Sequence, residues 1–381
     1  MAFEREINKT RAYLCLECGV CTGSCPVSRF NPDYSPRMVV ERALLLEEGE
    51  SIHDSEIWSC LTCGTCDQRC PSTVDFTGFM RSLREKARRV GEEGICTHAE
   101  TISAIGSLQL LPGFRRRASW LGKGIKTRRR GKVYYFGGCL PFLDVVFRDI
   151  GFEGSRIANS SIRLLNRIGI IPAVSEQEVC CGHDAYWTGQ TRSARTFAKK
   201  AIEAIKTTGA EQVVFSCPEG YRMFKDVYPD LVRKAGIEPV HMLTLLVEKS
   251  ERLNFAPTAK KKVTYQDPCR LSKGEDIIDE PRVLLGALPG LELVEMARSG
   301  KDSVCCGSSS WVNCTRVNKK IQVERLEEAI STGADTLVTA CPKCNIHLRC
   351  ALRDRDTSGE IEITDLVTLL ADSLGGGKRG I

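Results

Sequence analysis

The sequence lacks any apolar run of about 18 residues, the length at which a membrane-spanning helix is predicted. Its first residues, Met-Ala-Phe-Glu-Arg-Glu, include no apolar signal region. It also lacks a Gly-x-Gly-x-x-Gly motif after a predicted strand, so it shows no recognisable flavin or nicotinamide site. We therefore expect a soluble, cytoplasmic protein that associates with a membrane only through a partner.

Motifs for nucleic-acid binding are absent as well, although the chain is basic, with a formal net charge of +6. A basic stretch can bind nucleic acid. Without an accompanying motif, we favour a solvated linker or a docking surface for an acidic redox partner. The basic residues of this stretch are Arg115, Arg116, Arg117, Lys123, Lys126, Arg128, Arg129, Arg130 and Lys132.

Cysteine, by contrast, is abundant, with 20 residues. A large chain without a signal region is not a typical disulfide-rich secreted domain, so reduced thiols in a reducing compartment are expected. Eight cysteines form two runs of the pattern C-x2-C-x2-C-x3-C-P, the spacing typical of bacterial ferredoxin clusters. The runs are Cys15, Cys18, Cys21 and Cys25, and Cys60, Cys63, Cys66 and Cys70.

Each run places three thiolates on a Gly-containing loop that can reach three irons of one cubane, and its fourth cysteine reaches the other cluster. The alternative is a pair of structural zinc sites, which usually have longer gaps between their cysteine pairs. Two identical runs fit iron–sulfur better, and exposed clusters of this kind weakly suggest an anaerobic host. We assign one [4Fe–4S] cluster to Cys15, Cys18, Cys21 and Cys70, and a second to Cys60, Cys63, Cys66 and Cys25.

Polar and apolar periodicity divides the chain into four parts. Residues 1–90 are predicted to be a helical ferredoxin-type module, with helices over 36–48 and 76–90. Residues 91–131 form a basic, glycine-punctuated connector. Residues 132–250 and 260–372 each alternate strands with helices, which predicts two α/β lobes with largely parallel sheets. The expected fold is therefore a multidomain combination of α+β and α/β parts.

The elements of the two lobes are predicted from the same patterns. Strands are expected over 132–136, 170–174, 212–216, 262–265, 291–296 and 336–339. Helices are expected over 160–168, 192–207, 282–288 and 316–331.

The two lobes are a duplication. The segment Thr208 to Pro218 lines up with Thr332 to Pro342 at a constant offset of 124 residues. Cysteines follow the strand ends, where open α/β sheets present ligands. The first lobe has four of them and carries Gly220 where the second lobe has its fifth. The sets are Cys139, Cys180, Cys181 and Cys217, and Cys269, Cys305, Cys306, Cys341 and Cys344.

Converging thiolates repel one another, so we expect a cationic metal centre in both lobes. Adjacent cysteines suit a multi-iron cluster better than one tetrahedral ion, because neighbouring side chains diverge in an extended chain. We expect an iron–sulfur cluster in the second lobe. The first lobe either holds a cluster of a different type or is a degenerate lobe kept for packing.

The repeated Cys…Cys-Cys-Gly…Cys-Pro-x-Cys pattern resembles the CCG domain of heterodisulfide reductases, and the N-terminal module resembles their small ferredoxin-type subunit. The chain resembles the fused catalytic subunit over roughly residues 10–90 and 132–372. The resemblance implies a noncubane [4Fe–4S] cluster on Cys269, Cys305, Cys306, Cys341 and Cys344 that cleaves a disulfide in two one-electron steps. Gly220 departs from the family pattern, so a single active cluster in the second lobe is expected.

Other side chains near these motifs are weaker candidates. His183 follows Cys181-Gly182 and is expected either to donate a proton to a leaving thiolate or to support the metal loop by hydrogen bonding. His347 is a lesser candidate for the same cleft. Trp187 and Trp311 are expected to pack around the clusters. Isolated thiols, at Cys96, Cys314 and Cys350, are expected to be structural.

Two functions are consistent with the sequence. The favoured one is a heterodisulfide-reductase-type oxidoreductase subunit, in which electrons pass through the two cubanes to the second lobe for thiol or disulfide chemistry. Its partner would be a flavoprotein, a hydrogenase-like subunit or a membrane cytochrome. The alternative is an electron relay without substrate chemistry of its own, which Gly220 favours and Cys344 disfavours. A third alternative, a structural zinc protein, would be colourless, whereas an iron–sulfur protein would be brown.

Overall fold

The computed structural model describes residues 4–45, 56–115, 118–232, 236–257, 259–307, 309–312, 314–355 and 359–375. The end of the helix predicted over 36–48 lies outside these residues, as do Arg116 and Arg117 of the basic stretch. The basic side chains of that stretch that are described are largely exposed.

The N-terminal part of the chain is helical. Its longest helix, Phe76–Arg89, begins where the Asp75 carboxylate accepts a hydrogen bond from the Gly78 amide at 2.8 Å. The inner face of this helix buries Phe79, Met80 and Leu83. The helices here are Glu4–Thr10, Val20–Ser24, Pro26–Phe30, Pro36–Leu45, Glu56–Ser59, Thr65–Arg69 and Phe76–Arg89.

Two parallel sheets follow, one in each predicted lobe. The first has the order β1-β2-β3 and the second β5-β4-β6-β7, and the strands that pair within these two sheets are all parallel. The two-sheet α/β expectation is therefore confirmed. The strands are β1 (Val133–Phe136), β2 (Gln212–Phe215), β3 (Glu238–His241), β4 (Lys261–Gln266), β5 (Leu291–Leu293), β6 (Thr336–Thr339) and β7 (Glu362–Asp365).

One predicted strand is wrong. Within 170–174 only Ala173 pairs with β1. The Ala173 amide donates to the Val133 carbonyl at 2.8 Å, and the Ala173 carbonyl accepts from the Tyr135 amide at 3.0 Å. The neighbouring residues face the other way, where the Pro172 carbonyl accepts from the Arg128 amide at 2.9 Å and the Val174 amide donates to the Arg128 carbonyl at 3.1 Å. The segment still occupies the edge beside β1 that β5 occupies beside β4, so the duplication persists in the topology.

The sequence did not predict β3, β7 or the connector helix Thr101–Leu110. The two strands are only four residues long, and the connector helix lacks an amphipathic period. Predicted helices are present with shifted ends. The lobe helices are Leu140–Val146, Gly154–Arg167, His183–Trp187, Thr191–Lys206, Pro218–Arg222, Tyr228–Leu231, Met242–Glu248, Cys269–Ser272, Asp279–Gly286, Arg316–Ile330, Pro342–Asp354 and Leu366–Asp372.

Two hydrophobic cores position the cysteines. One core runs through the first lobe into the second, from Phe215 to Tyr265 and Leu370. The other joins the N-terminal helices to the second lobe and includes Cys60 and Cys305. The N-terminal part is therefore packed on the cysteine end of the second lobe. No helix among the described residues is both long and apolar enough to cross a membrane.

Candidate metal centres

The two N-terminal cysteine runs fold alike. Gly19 and Gly64 adopt φ of 77° and 75° at the start of the helices Val20–Ser24 and Thr65–Arg69. A left-handed conformation is disfavoured for residues other than glycine, so the glycine in each run permits this turn. Cys25 and Cys70 end the two helices in extended conformation. At the fourth cysteine of each run the backbone therefore extends away from the loop that holds the other three.

Cys25 lies with the cysteines of the second run. Burial, followed by the charges of Cys63 and Cys60, raises the pKa of the Cys25 thiol to about 12. Burial also raises the pKa of Cys66, with the charges of Asp67, Cys60, Cys63 and Cys25 adding to it. The structure thus brings Cys25 to Cys60, Cys63 and Cys66, across the two runs.

The first run lies at the surface. Cys18 is exposed, and the Leu16 and Val20 side chains beside it are 71% and 42% exposed. Burial raises the pKa of Cys21, and the charge of Cys15 contributes to the increase. The Cys70 sulfur accepts a hydrogen bond from the Val74 amide at 3.4 Å.

The five cysteines of the second lobe are joined by thiol contacts. Hydrogen bonds from Cys305 and then Cys344 lower the pKa of Cys306 to about 6. Bonds to Cys306 and Cys341, together with burial, raise the pKa of Cys344. A hydrogen bond with Cys269 lowers the pKa of Cys305. A hydrogen bond with Cys306, burial, and the charges of Cys306 and Cys63 outweigh it, so the pKa of Cys305 is raised overall. Cys305 is therefore also close to Cys63 of the N-terminal part.

Hydrogen bonds strengthen this contact. The Thr62 hydroxyl, between Cys60 and Cys63, lies 2.9 Å from the Ser309 hydroxyl. It also accepts a hydrogen bond from the guanidinium of Arg270, the residue after Cys269, at 2.9 Å. The second N-terminal cysteine group thus abuts the cysteine loops of the second lobe.

The four cysteines of the first lobe also come together. A hydrogen bond to Cys180, then burial and the charges of Cys180 and Cys217, raise the pKa of Cys139. Burial, then Glu219 and the second-lobe Cys341, raise the pKa of Cys217. The two lobes therefore turn their cysteine ends toward each other.

Phenyl rings crowd the position of the missing fifth cysteine. A Cβ atom at Gly220 would lie 3.1 Å from Cδ1 of Phe215 and 3.9 Å from Cδ1 of Phe136. Phe136 and Phe215 are the paired last residues of β1 and β2. The corresponding pair of β4 and β6 is Gln266 and Thr339. The first lobe is thus filled by aromatic side chains where the second has smaller or polar ones.

The thiol groups fit iron–sulfur clusters. Thiolates are the usual ligands of such clusters. One thiol in each lobe has a lowered pKa, but hydrogen bonds to neighbouring thiols, burial and the charges of those thiols raise the pKa of Cys139 and of Cys344, so a cationic group is needed to hold each set ionised together. Cys341 and Cys344 also begin the helix Pro342–Asp354, whose N-terminal end favours anionic sulfur.

A buried ion cluster that the sequence did not reveal joins the two lobes. Lys343, between Cys341 and Cys344, donates to the carboxylate of Asp184, and its Nζ lies 2.8 Å from Oε2 of Glu219. Its Nζ also lies 3.5 Å from Nδ1 of His183. Burial lowers the pKa of Lys343, but the two carboxylates more than compensate and raise it overall. His183, Asp184 and Glu219 are close enough to bind a metal ion, but the ammonium already supplies their counter-charge.

The two candidate histidines differ in surroundings. His183 is buried, and its Nε2 has no partner among the described residues. Nδ1 of His347 lies 3.5 Å from the Cys306 sulfur, and burial lowers the His347 pKa to about 3. His347 thus touches a predicted ligand directly, which sequence proximity alone did not indicate.

The two tryptophans lie beside these groups. The Arg270 guanidinium stacks over Trp187 at 4.3 Å from the ring centroid. Trp311 meets the His347 ring edge to face at 5.3 Å. Of the isolated thiols, Cys350 accepts a hydrogen bond from Lys319 at 2.9 Å, and Cys314 is exposed.

Family models match most of the cysteine-bearing sequence. A 4Fe-4S dicluster domain matches residues 11–74, and a cysteine-rich domain (CCG) matches residues 133–225 and 263–349.

Several curated relatives carry the names of redox-complex components. One component of the dihydromethanophenazine:CoB–CoM heterodisulfide reductase from Methanosarcina acetivorans is 31% identical over 269 residues, covering 68% of this chain and 63% of that protein. One component of the fumarate reductase (CoM/CoB) from Methanothermobacter marburgensis is 26% identical over 380 residues, covering 93% of this chain and 71% of that protein. The chain thus spans less than two thirds of the length of the heterodisulfide reductase components that it matches.

One solved structure shares the fold. A hypothetical protein from Helicobacter pylori superposes with a TM-score of 0.55 at 11% identity, covering 92% of this chain and 70% of that one.

Proposed function

This chain belongs to the iron–sulfur oxidoreductase family that joins a 4Fe-4S dicluster domain to two cysteine-rich CCG domains, and we propose that it is the electron-carrying subunit of a redox complex with a thiol–disulfide site in its second lobe. The observation that carries this proposal is the contact between Thr62, beside Cys63, and the Arg270 and Ser309 side chains next to the second-lobe cysteines. This contact joins the second N-terminal cysteine group to the second lobe.

We propose the ligand sets as inferred from the sequence, with a noncubane cluster in the second lobe. The proximity of Cys25 to Cys60, Cys63 and Cys66 supports the crossed assignment of the N-terminal clusters. Cys70 would complete the first set with Cys15, Cys18 and Cys21. The first lobe is proposed to hold a cluster of another type or none, since Phe215 crowds the Gly220 position.

When bound, such clusters supply one-electron transfer. The protein around them would exclude water and hold ligands in place. His347 remains neutral near pH 7, because burial lowers its pKa to about 3, so it faces the Cys306 sulfur as an uncharged imidazole. His183, buried between the lobes with a free Nε2 among the described residues, remains our candidate proton donor.

A partner is proposed to meet the first N-terminal run. Cys18 is exposed there, and the exposed Leu16 and Val20 side chains give the surface an apolar character. A flavoprotein, a hydrogenase-like subunit or a membrane cytochrome would exchange electrons at this surface. The names of relatives, which include EtfAB:quinone oxidoreductase from Syntrophomonas wolfei (23% identical, covering 68% of this chain and 38% of that protein), support a multi-subunit redox context.

Electron paramagnetic resonance of anaerobically purified protein tests the substrate site. A signal of the oxidised protein should change when mercaptoethanol is added, and this response should be lost in Cys344→Ser, which removes a proposed second-lobe ligand. The N-terminal cluster signals should persist in that variant. Cys314→Ser, which changes an exposed cysteine outside every ligand set, is the matched control.

The second candidate function is an electron relay without substrate chemistry. The crowded Gly220 position favours it, because it leaves the first lobe without a fifth ligand. Cluster signals without any thiol response in the wild-type protein would support the relay and contradict the thiol–disulfide site.

A further inference from the structure

Tyr34 carries a buried hydroxyl group that has no role in the proposed function. The Tyr34 side chain is fully buried, and it belongs, with Cys60, to the core that joins the N-terminal helices to the second lobe. Cys25 and Cys66 pack against the same core. No nitrogen or oxygen atom among the described residues forms a hydrogen bond with the hydroxyl. Buried hydroxyl groups normally have a hydrogen-bond partner, so this one requires an acceptor of another kind.

Cysteine sulfurs surround the Tyr34 hydroxyl. Burial raises the pKa of Tyr34 well above its usual value, and the charges of Cys60, Cys25 and Cys66 add to this increase. Burial likewise raises the pKa of the Cys60 thiol, and a hydrogen bond with Tyr34 is one of the interactions that oppose the increase. The Tyr34 hydroxyl therefore stays protonated near neutral pH and has the Cys60 sulfur as its acceptor.

Neighbouring contacts hold Tyr34 in this position. The Tyr34 amide donates a hydrogen bond to the Asn31 carbonyl at 3.1 Å. The hydroxyl of the next residue, Ser35, lies 2.7 Å from the hydroxyl of Thr22, which belongs to the helix of the first cysteine run. The segment that carries Tyr34 is thus bound to the first run, while its hydroxyl lies among the cysteines of the second.

The Cys60 sulfur also has a second donor, because the Thr62 amide donates a hydrogen bond to it at 3.3 Å. A cluster gains one negative charge when it is reduced, and hydrogen bonds to its ligand sulfurs are among the factors that set its reduction potential. A donor that is already held in place stabilises the additional charge without having to reorient. A ligand sulfur that accepts two hydrogen bonds therefore favours the reduced state.

We propose that Tyr34 tunes the second N-terminal cluster, the one proposed for Cys60, Cys63, Cys66 and Cys25, by donating a hydrogen bond to the Cys60 sulfur and so raising its reduction potential. The inference rests on the ligand set of the proposed function. Tyr34 acts through Cys60 and is not itself a ligand. A higher potential holds the electron at the cluster that abuts the second lobe through Thr62.

Tyr34→Phe tests the tuning, because it removes the hydroxyl and keeps the ring. In a spectroscopic redox titration of the anaerobically purified full chain, the equilibrium constant for reducing the second N-terminal cluster should fall by about threefold or more. The first cluster should keep its potential, and Cys63→Ser identifies the signal of the second. Tyr13→Phe is the matched control, since it removes the hydroxyl of a tyrosine of the same part that is 55% exposed.

Electron–nuclear double resonance tests the hydrogen bond itself. In the reduced wild-type protein, one proton coupling of the second N-terminal cluster, besides that of the Thr62 amide, should be lost on transfer to deuterated water. This exchangeable coupling should be absent from Tyr34→Phe and present in Tyr13→Phe. A packing role of the Tyr34 ring alone would leave the coupling and the potential unchanged.

The outcomes separate this inference from the proposed function. An unchanged potential in Tyr34→Phe, or an equal shift in Tyr13→Phe, would overturn the role of Tyr34 and leave the ligand sets and the thiol response of the second lobe intact. Retention of the exchangeable coupling in Tyr34→Phe would overturn the hydrogen bond to Cys60. Two unaltered N-terminal cluster signals in Cys63→Ser would instead contradict the ligand set of the proposed function, and the inference with it.

Discussion

At the scale of single residues, the two lobes differ at positions that pair across their sheets. Phe136 and Phe215 end β1 and β2, whereas Gln266 and Thr339 end β4 and β6. The rings of the first pair lie 5.2 Å apart at their centroids and fill the space below Gly220. The loss of a fifth cysteine is thus accompanied by packing that occupies its place.

Restoring the cysteine alone should therefore fail. We expect Gly220→Cys to leave the iron content unchanged, because its Cβ would press on the Phe215 ring at 3.1 Å. Gly220→Cys combined with Phe215→Thr, which copies the second lobe, should raise the iron content. Iron per chain after anaerobic reconstitution measures both, with Phe215→Thr alone as the control. An increase in Gly220→Cys alone would contradict the steric argument.

Lys343 is a second single residue with a large expected effect, because its ammonium pairs with two carboxylates of the other lobe. Lys343→Met should leave Asp184 and Glu219 facing each other between the lobes, and removing one partner of a buried ion cluster costs about 3 kcal/mol. Anaerobic thermal melts would show the loss. Lys301→Met is the control, because Lys301 pairs with Asp276 at the surface, where such pairs contribute about 1 kcal/mol or less. Equal melting temperatures for the two variants would contradict the importance of the cluster.

At the scale of elements, the repeats use the same junction with different chemistry. His241 ends β3 and caps the helix Met242–Glu248 through a hydrogen bond from the Leu243 amide at 3.4 Å. Asp365 ends β7 and caps Leu366–Asp372 through the Val367 amide at 3.0 Å. Burial lowers the pKa of His241 to about 3 and raises that of Asp365 to about 7. The two caps therefore respond oppositely to pH.

Stability should follow these shifts. Between about pH 4 and 7 the folded state keeps the Asp365 proton that the unfolded state has lost, so this residue reduces stability as the pH rises. Asp365→Asn, which keeps the capping acceptor, should therefore stabilise the protein more at pH 8 than at pH 5. For His241 the unfolded state binds the proton below about pH 6.5, so stability is lost on acidification and His241→Asn should help more at pH 5.

Melting temperatures at the two pH values, each compared with wild type, measure both effects. The two variants are each other's control, because they change equivalent positions of the two repeats. A shared pH trend would point to a common cause, such as cluster loss, and contradict the separate roles of the caps.

At the scale of the whole molecule, one buried arginine joins two parts of the chain. Arg84 is fully buried on the helix Phe76–Arg89 and donates to the carbonyls of Ile57 at 2.9 Å, Cys60 at 2.6 Å and Trp187 at 3.0 Å. Two of these acceptors belong to the N-terminal part and the third to the first lobe. Arg84 thus fixes their relative position and places a positive charge beside Cys60.

Removing this charge should make the adjacent cluster harder to reduce. We expect Arg84→Met to lower the reduction potential of the N-terminal cluster proposed for Cys60, because a buried cation stabilises the extra electron. A spectroscopic redox titration measures the shift. Arg89→Met, which changes an arginine of the same helix that is 70% exposed, is the matched control and should leave the potential nearly unchanged. An equal shift in both variants would contradict a specific role for Arg84.

The sequence by itself determined the local features of this protein. Cysteine spacing predicted that the two N-terminal runs fold alike, because a Cys-x2-Cys-Gly loop imposes its own turn. Strand–helix alternation with the 124-residue offset predicted two lobes with parallel sheets. The absence of a fifth cysteine at Gly220 could also be predicted, because the second repeat has Cys344 at the equivalent position.

Only the tertiary structure decided which distant residues meet. The Lys343 cluster, the Arg84 contacts, the proximity of His347 to Cys306 and that of the Tyr34 hydroxyl to Cys60 depend on how separate elements pack. No periodic pattern marks such contacts, because burial and pairing of a charged side chain depend on neighbours far away in the chain. The strand expected at 170–174 was wrong for a related reason, since the segment pairs with β1 only at Ala173 and bonds on its other side to Arg128, a residue of the connector.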